Sequence, residues 1–208
     1  MLFRSGLAKD ADLPSKIQKA VFPGLQGGPH NATTAAIAVA AAEAATPAFK
    51  RYGKKIQSNA RVLATALQKE GLQLVGSGTQ THLMIIDFSN LAVGIGGLIA
   101  KAMDIAGLYA NKNTVPDEKG SPVFPSGVRL GTPLVTTRGM GESEMKKIAH
   151  WIALVAHHVE KTYPLPAEKQ QRQYFLTTYQ KKMLTDKFLL NLAKEVKELA
   201  SQFPLFSY

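Results

Sequence analysis

Two adjacent glycines, Gly27 and Gly28, stand between a proline-punctuated loop and a long alanine-rich stretch, in the segment Val21-Phe22-Pro23-Gly24-Leu25-Gln26-Gly27-Gly28-Pro29-His30-Asn31-Ala32-Thr33. Glycine at a loop-to-helix junction lets backbone N–H groups come close to an anion, and the helix N-terminus adds its positive dipole end. A plain turn before a closely packed helix accounts for the same residues, and for a Gly-Gly-Pro taken by itself it is the favoured reading. Residues 29–45 read as that helix. Side chains this small suit close packing against another helix or subunit.

The rest of the chain alternates helical and strand-like patterns. Residues 2–5 read as the end of a strand, and residues 13–20 as a short helix with Pro14 at its start. Thr46 is a good N-cap with Pro47 at the first helical position. From there Phe49, Tyr52, Ile56, Leu63 and Leu67 keep the spacing of one helical face, and Gly71 stops it. This seam predicts two parts, 1–46 and 47–208.

Residues 72–75 and 82–88 read as strands around a Gly-Ser-Gly turn. Gly94-Ile95-Gly96-Gly97 opens a helix through Ala106. It invites a dinucleotide reading but lacks the six-position fingerprint and its acidic residue, so a plain helix start is favoured. Gly107 ends that helix; residues 108–110 and 128–130 follow as short strands. Met145, Ile148, Ile152, Val155 and Val159 mark a helix behind the acidic first turn of Glu142 and Glu144. Residues 168–183 are polar and helical in pattern. Thr185 is the expected cap of a last helix striped by Phe188, Leu189, Leu192, Val196 and Leu199. Alternating strands and helices predict an α/β sandwich for residues 48–208.

At 208 residues, 45% hydrophobic and 19% charged, the chain has globular composition and enough length for a real core. It has no cysteine, which removes disulfides and thiolate metal sites and fits a reducing compartment. No uncharged apolar run is long enough for a bilayer span, and residues 1–4 lead into no signal-peptide core, so no membrane association is expected. A net charge of +10 steers anions toward a protein, although composition alone favours a plain solvated basic surface. Nucleic acid is one class; an anionic cofactor or a folate carboxylate is another. The basic stretch from Lys161 to Lys187 is interleaved by Tyr174 and Tyr179, which suits base stacking but fits helix packing better. The histidines give no metal geometry: His157 and His158 are adjacent, His150 is a heptad from His157, and His82 reads as a structural residue at a strand start.

Far from the glycine loop, a second patterned stretch follows. Asn111-Lys112-Asn113-Thr114-Val115-Pro116 leads to Ser121-Pro122, then to Ser126-Gly127-Val128-Arg129-Leu130-Gly131-Thr132-Pro133, then to Thr136-Thr137-Arg138-Gly139-Met140. With the Phe-Pro-Gly-Leu-Gln-Gly-Gly-Pro segment, in the same order, this resembles the serine hydroxymethyltransferase family. The resemblance runs from about residue 16 to about 158, with an echo in Gln202-Phe203-Pro204-Leu205. The family's cofactor lysine follows a threonine-rich run and a histidine, and no Thr-Thr-Thr-His-Lys occurs here. The chain therefore resembles the C-terminal half of the enzyme and is expected to be inactive by itself and active only with the N-terminal half; the alternatives are a non-catalytic folded remnant that binds a partner and a basic nucleic-acid-binding module.

The resemblance implies the small domain of the fold-type I pyridoxal-phosphate transferases, preceded by the tail of the large domain. It implies pyridoxal phosphate as cofactor, serine or glycine as substrate, tetrahydrofolate as co-substrate, a homodimer or higher homo-oligomer, and a cytoplasmic setting. Gly27 and Gly28 fall where the family holds the cofactor phosphate of a neighbouring subunit. Arg129 falls at the substrate-carboxylate arginine, whose planar fork suits a carboxylate. Asn113, Ser121, Pro122 and Val123 fall at the folate contact. Two departures stand out: Phe124 is one position later than the aromatic residue in many relatives, and Ala32 replaces a common histidine.

Overall fold

The computed structural model describes residues 12–166 and 169–205. The strand expected at residues 2–5 lies outside them. The described chain divides into two compact units, one ending at Phe49 and the other beginning at Lys50.

In the first unit, helix α1 (Leu13–Lys19) has Pro14 in its first turn, where a missing N–H costs nothing. A π-helical turn over Ala20–Leu25 follows, then an irregular loop, then helix α2 (Asn31–Ala44). None of these elements contains a buried residue. Apolar side chains surround α2 instead of forming a stripe, the composition of a helix covered on several sides. Ile37 and Val39 are among those left open.

Helix α3 (Pro47–Lys69) starts where the cap predicts: Thr46 Oγ1 accepts the Phe49 N–H at 3.2 Å. Beyond residue 50 its stripe sinks into the second unit through Ala60, Leu63, Ala64 and Leu67. Asn59, buried with them, donates to Thr136 Oγ1 and to the Met140 carbonyl. Gly71 closes the helix at φ +84°, a backbone conformation that disfavours side chains.

A four-stranded antiparallel sheet follows, in the order β1 (Gln73–Leu74), β2 (Leu83–Asp87), β4 (Gly127–Gly131), β3 (Asn111–Asn113). Met84 and Ile86 of β2 and Val128 of β4 point into the core with Phe88. Helix α4 (Gly96–Ile105) packs against β3 and β4. It comes so close that a Cβ on Gly96 would meet the Gly127 carbonyl at 2.5 Å and the Pro125 carbonyl at 2.8 Å. This close approach is what the Gly96-Gly97 pair serves. Helices α5 (Pro133–Thr137), α6 (Glu142–Thr162), α7 (Lys169–Met183) and α8 (Lys187–Ser201) complete the unit. Met145, Ile152, Met183 and Leu189 meet Leu98, Ile99 and Met103 of α4 in one hydrophobic core. The result is an α/β fold with a small antiparallel sheet. Among the described residues no single helix is long and apolar enough to cross a membrane.

Several sequence expectations need correction. The strand expected at residues 108–110 begins at Asn111 instead, because Leu108 is spent closing α4. Gly107 turns at φ +81° and the Leu108 N–H reaches back to the Met103 carbonyl at 2.8 Å. The first strand is shorter than residues 72–75, since the chain turns at Val75–Ser77. Asp186, not Thr185, caps α8: its carboxylate accepts from the Phe188 and Leu189 N–H groups. The Thr185 hydroxyl instead donates to the Lys182 carbonyl at the end of α7. Tyr174 is exposed, and the packing face of α7 is formed by Phe175, Leu176 and Tyr179.

Candidate functional site

The glycine loop and the arginine belong to different units. Gly27 and Gly28 lie exposed in the loop that feeds the N-terminus of the 14-residue helix α2. A Cβ at either glycine would meet nothing within 4 Å. Neither N–H donates to an acceptor among the described residues. Open space and spare donors ahead of a helix N-terminus fit an anionic group such as a phosphate.

In the second unit, β4 carries Arg129 at its centre, opposite Ile85 of β2 on one side and Asn111 of β3 on the other. Directly opposed residues of antiparallel strands share a face, so this row lies on the side turned away from the Met84–Ile86–Val128 core. Pairing on both flanks fixes the arginine's backbone while its side chain stays exposed. Arg129 contributes to an open groove of about 870 Å³, along with His82, Tyr109, Asn111 and Lys112. Its other walls include Val123 and Phe124 from the following loop and Leu176 and Gln180 from α7. Lys101 on the rim is paired with Asp104 at 2.9 Å. His82, expected to be a structural residue, is instead exposed at this groove.

The nearby arginine of the same motif has a different task. Arg138 donates through Nε to the Phe203 carbonyl at 2.7 Å and through Nη2 to the Ala200 carbonyl. It ties the end of α5 to the end of α8 and the residue beyond it. Arg129, and not Arg138, lines the groove.

The folate candidates separate. Val123 lines the Arg129 groove, and its carbonyl accepts from Lys112 Nζ at 3.0 Å. Asn113 is half-buried at the end of β3, donating to the Thr114 carbonyl at 2.6 Å. Ser121 accepts the Phe124 N–H through its hydroxyl, shaping a tight turn through Pro122. Neither Asn113 nor Ser121 nor Pro122 lines the groove itself.

Sequence reasoning missed Glu118. Its carboxylate accepts four hydrogen bonds: from the Val115, Gly120 and Ser126 N–H groups and from the Ser126 hydroxyl. Burial pushes this carboxyl up, but the four donors outweigh it and hold the group below the usual glutamate range. The available signal was a carboxylate two residues before Gly120, a spacing that lets it reach forward to a turn N–H.

The second unit is of the α/β class, with a small antiparallel sheet and a groove lined by Arg129. The family follows from comparison: the family model described as serine hydroxymethyltransferase matches residues 3–152, and the chain belongs to that family. It is 53% identical over 145 residues to a serine hydroxymethyltransferase of Acidothermus cellulolyticus, covering 70% of this chain and 34% of that protein. One from Sorangium cellulosum is 50% identical over 143 residues, 69% of this chain and 34% of its own length. One from Methanospirillum hungatei is 41% identical over 198 residues, 95% of this chain and 42% of its own. The chain thus spans between a third and a half of the length of the curated relatives it matches.

Proposed function

We propose that this chain is the C-terminal part of a serine hydroxymethyltransferase, which interconverts serine and glycine and passes the one-carbon unit to tetrahydrofolate. Residues 47–208 are then the small domain of a fold-type I transferase, and residues 1–46 the tail of the large domain. The observation that carries the reading is Arg129: it lines an open groove, while Arg138 of the same motif is spent on main-chain carbonyls.

In this reading Arg129 grips the amino acid's carboxylate with two parallel N–H donors and so fixes which bond at the α-carbon is aligned for cleavage. Pyridoxal phosphate, when bound, supplies the electron sink for that bond. The Gly27 and Gly28 N–H groups hold its phosphate in a neighbouring subunit, which makes the active protein a homodimer or larger homo-oligomer. Asn113 and the Ser121-Pro122-Val123 turn receive the folate. The setting is cytoplasmic.

The test is a chimera in which this chain replaces the matching stretch of the Methanospirillum hungatei relative. Conversion of serine to glycine dependent on tetrahydrofolate is expected. A chimera that folds and assembles yet shows no such conversion would overturn the proposal.

A further inference from the structure

We propose that Glu118 is a positioning residue for the co-substrate: its carboxylate is the clasp that closes the loop over residues 119–125 and aims it at the groove. This rests on the folate reading above. Glu118 takes no place on the groove wall. It sits at the base of the loop and joins its two ends, accepting the Ser126 N–H at 2.8 Å and the Ser126 hydroxyl at 2.7 Å. It also accepts the Gly120 N–H at 2.7 Å and the Val115 N–H at 3.3 Å. Ser126 passes the restraint onward, because its hydroxyl oxygen accepts the Gly94 N–H at 2.9 Å and its carbonyl accepts the Phe88 N–H at 3.1 Å.

The loop so closed is the segment that places Val123 and Phe124 on the groove wall. Inside it, the further hydrogen bonds among the described residues are those of the Ser121–Phe124 turn and the Lys112–Val123 contact. Arg129 depends on the clasp far less, because strands on both sides hold it in register. A four-fold acceptor must be ionised to take four donors; a protonated carboxyl or an amide turns one acceptor site into a donor facing N–H groups. The clasp therefore acts on the loop and its ligand and largely spares the carboxylate grip of Arg129.

Glu118→Gln tests this in two settings. In the isolated chain, the Gly94, Gly120 and Ser126 amides are expected to exchange with solvent at least about tenfold faster, while core amides of α6 are unchanged. In the active chimera, KM for tetrahydrofolate is expected to rise about tenfold, and KM for serine by no more than about threefold. Ser126→Ala, which removes one clasp bond and the acceptor of the Gly94 N–H but keeps the other three clasp bonds, should free the Gly94 amide directly and move Gly120 and Ser126 exchange and the tetrahydrofolate KM the same way as Glu118→Gln by less. Equal rises in the two KM values would overturn the proposal, as would wild-type exchange at the three amides. If the unmodified chimera is inactive, the functional reading fails and the exchange experiment alone decides whether the clasp exists.

Discussion

Tyr163, just past the end of α6, donates its hydroxyl to Oδ2 of Asp186 at 2.6 Å. The same oxygen meets Nε2 of His158 at 2.8 Å, and Oδ1 caps α8. One carboxylate thus joins two helices and a loop. Asp186→Ala should remove the cap and strand a largely buried tyrosine donor, costing about 2–4 kcal/mol in urea unfolding. Asp186→Asn, which keeps one acceptor oxygen, should cost less.

The same carboxylate shapes the acid limb of stability. Burial raises the Asp186 pKa, but the Tyr163, His158 and Leu189 donors outweigh that and leave it below the ordinary value near 3.8. A depressed folded-state value means the contribution is complete above the unfolded value and fades as pH falls through the folded one. Stability should therefore decline below about pH 4, and less steeply in Asp186→Asn. Tyr163 has the opposite sign. Burial and then Asp186 push its hydroxyl well above the usual 10. Its contribution is present below pH 10 and lost as pH rises beyond it. Unfolding midpoints measured from pH 2.5 to 11 check both limbs.

Two neighbouring glycines give a matched pair. A Cβ on Gly96 would strike main-chain atoms of Gly127 and Pro125, which have no freedom to retreat, whereas the nearest atom to one on Gly97 is Lys112 Cδ at 3.7 Å. Gly96→Ala should destabilise by about 1–3 kcal/mol through overpacking. Gly97→Ala should be near neutral or slightly stabilising, since alanine favours helix. Equal effects in thermal unfolding would contradict the close helix–strand contact.

The helices were legible because their apolar stripes and stops are local. Leu63 and Leu67 on α3, and Ile152 and Val159 on α6, are core residues in the pattern and in the fold. What the pattern could not carry was pairing. Nothing near Arg129 in sequence announces that Ile85 and Asn111 flank it, since strand register depends on contacts far along the chain. Thr185 and Asp186 are both good caps, and the choice rests on which backbone N–H groups each can reach. Glu118 was invisible for a related reason: two of its four bonds go to Ser126, across a loop whose closure no periodicity signals.

The first unit leaves much apolar surface uncovered. Leu25 is 83% exposed and Ile37 65%. Surface of that kind associates in water. The isolated chain should sediment as dimers or larger species at micromolar concentration, and Ile37→Glu should shift it toward monomer. A clean wild-type monomer over that range would count against this.

In the family this chain resembles, the cofactor lysine follows a threonine-rich run and a histidine, and the sequence here contains no Thr-Thr-Thr-His-Lys. The chain by itself should therefore not hold pyridoxal phosphate covalently at one site. Borohydride reduction followed by peptide mapping should find only scattered, substoichiometric labelling of lysines. Full labelling of a single lysine would place the cofactor on this segment after all.

Arg129 offers the sharpest test of the proposed function. A guanidinium forks onto a carboxylate through two parallel bonds, and a lysine ammonium at the same strand position offers a single point charge. In the active chimera, Arg129→Lys should raise KM for serine and also lower kcat, because both grip and alignment are lost. Arg129→Ala, which removes the charge altogether, should lower kcat/KM by on the order of 3–5 kcal/mol, the range for losing one side of a hydrogen-bonded charge pair desolvated by substrate, and Arg129→Lys by less. Arg138→Lys should behave differently. Its partners are the Phe203 and Ala200 carbonyls, so its loss should lower thermal stability and leave KM for serine near the wild-type value. Were Arg129 only a surface charge, its replacement would cost about 0–1 kcal/mol. Steady-state kinetics on these variants separate these outcomes, and a near-normal kcat/KM for Arg129→Lys would end the carboxylate assignment.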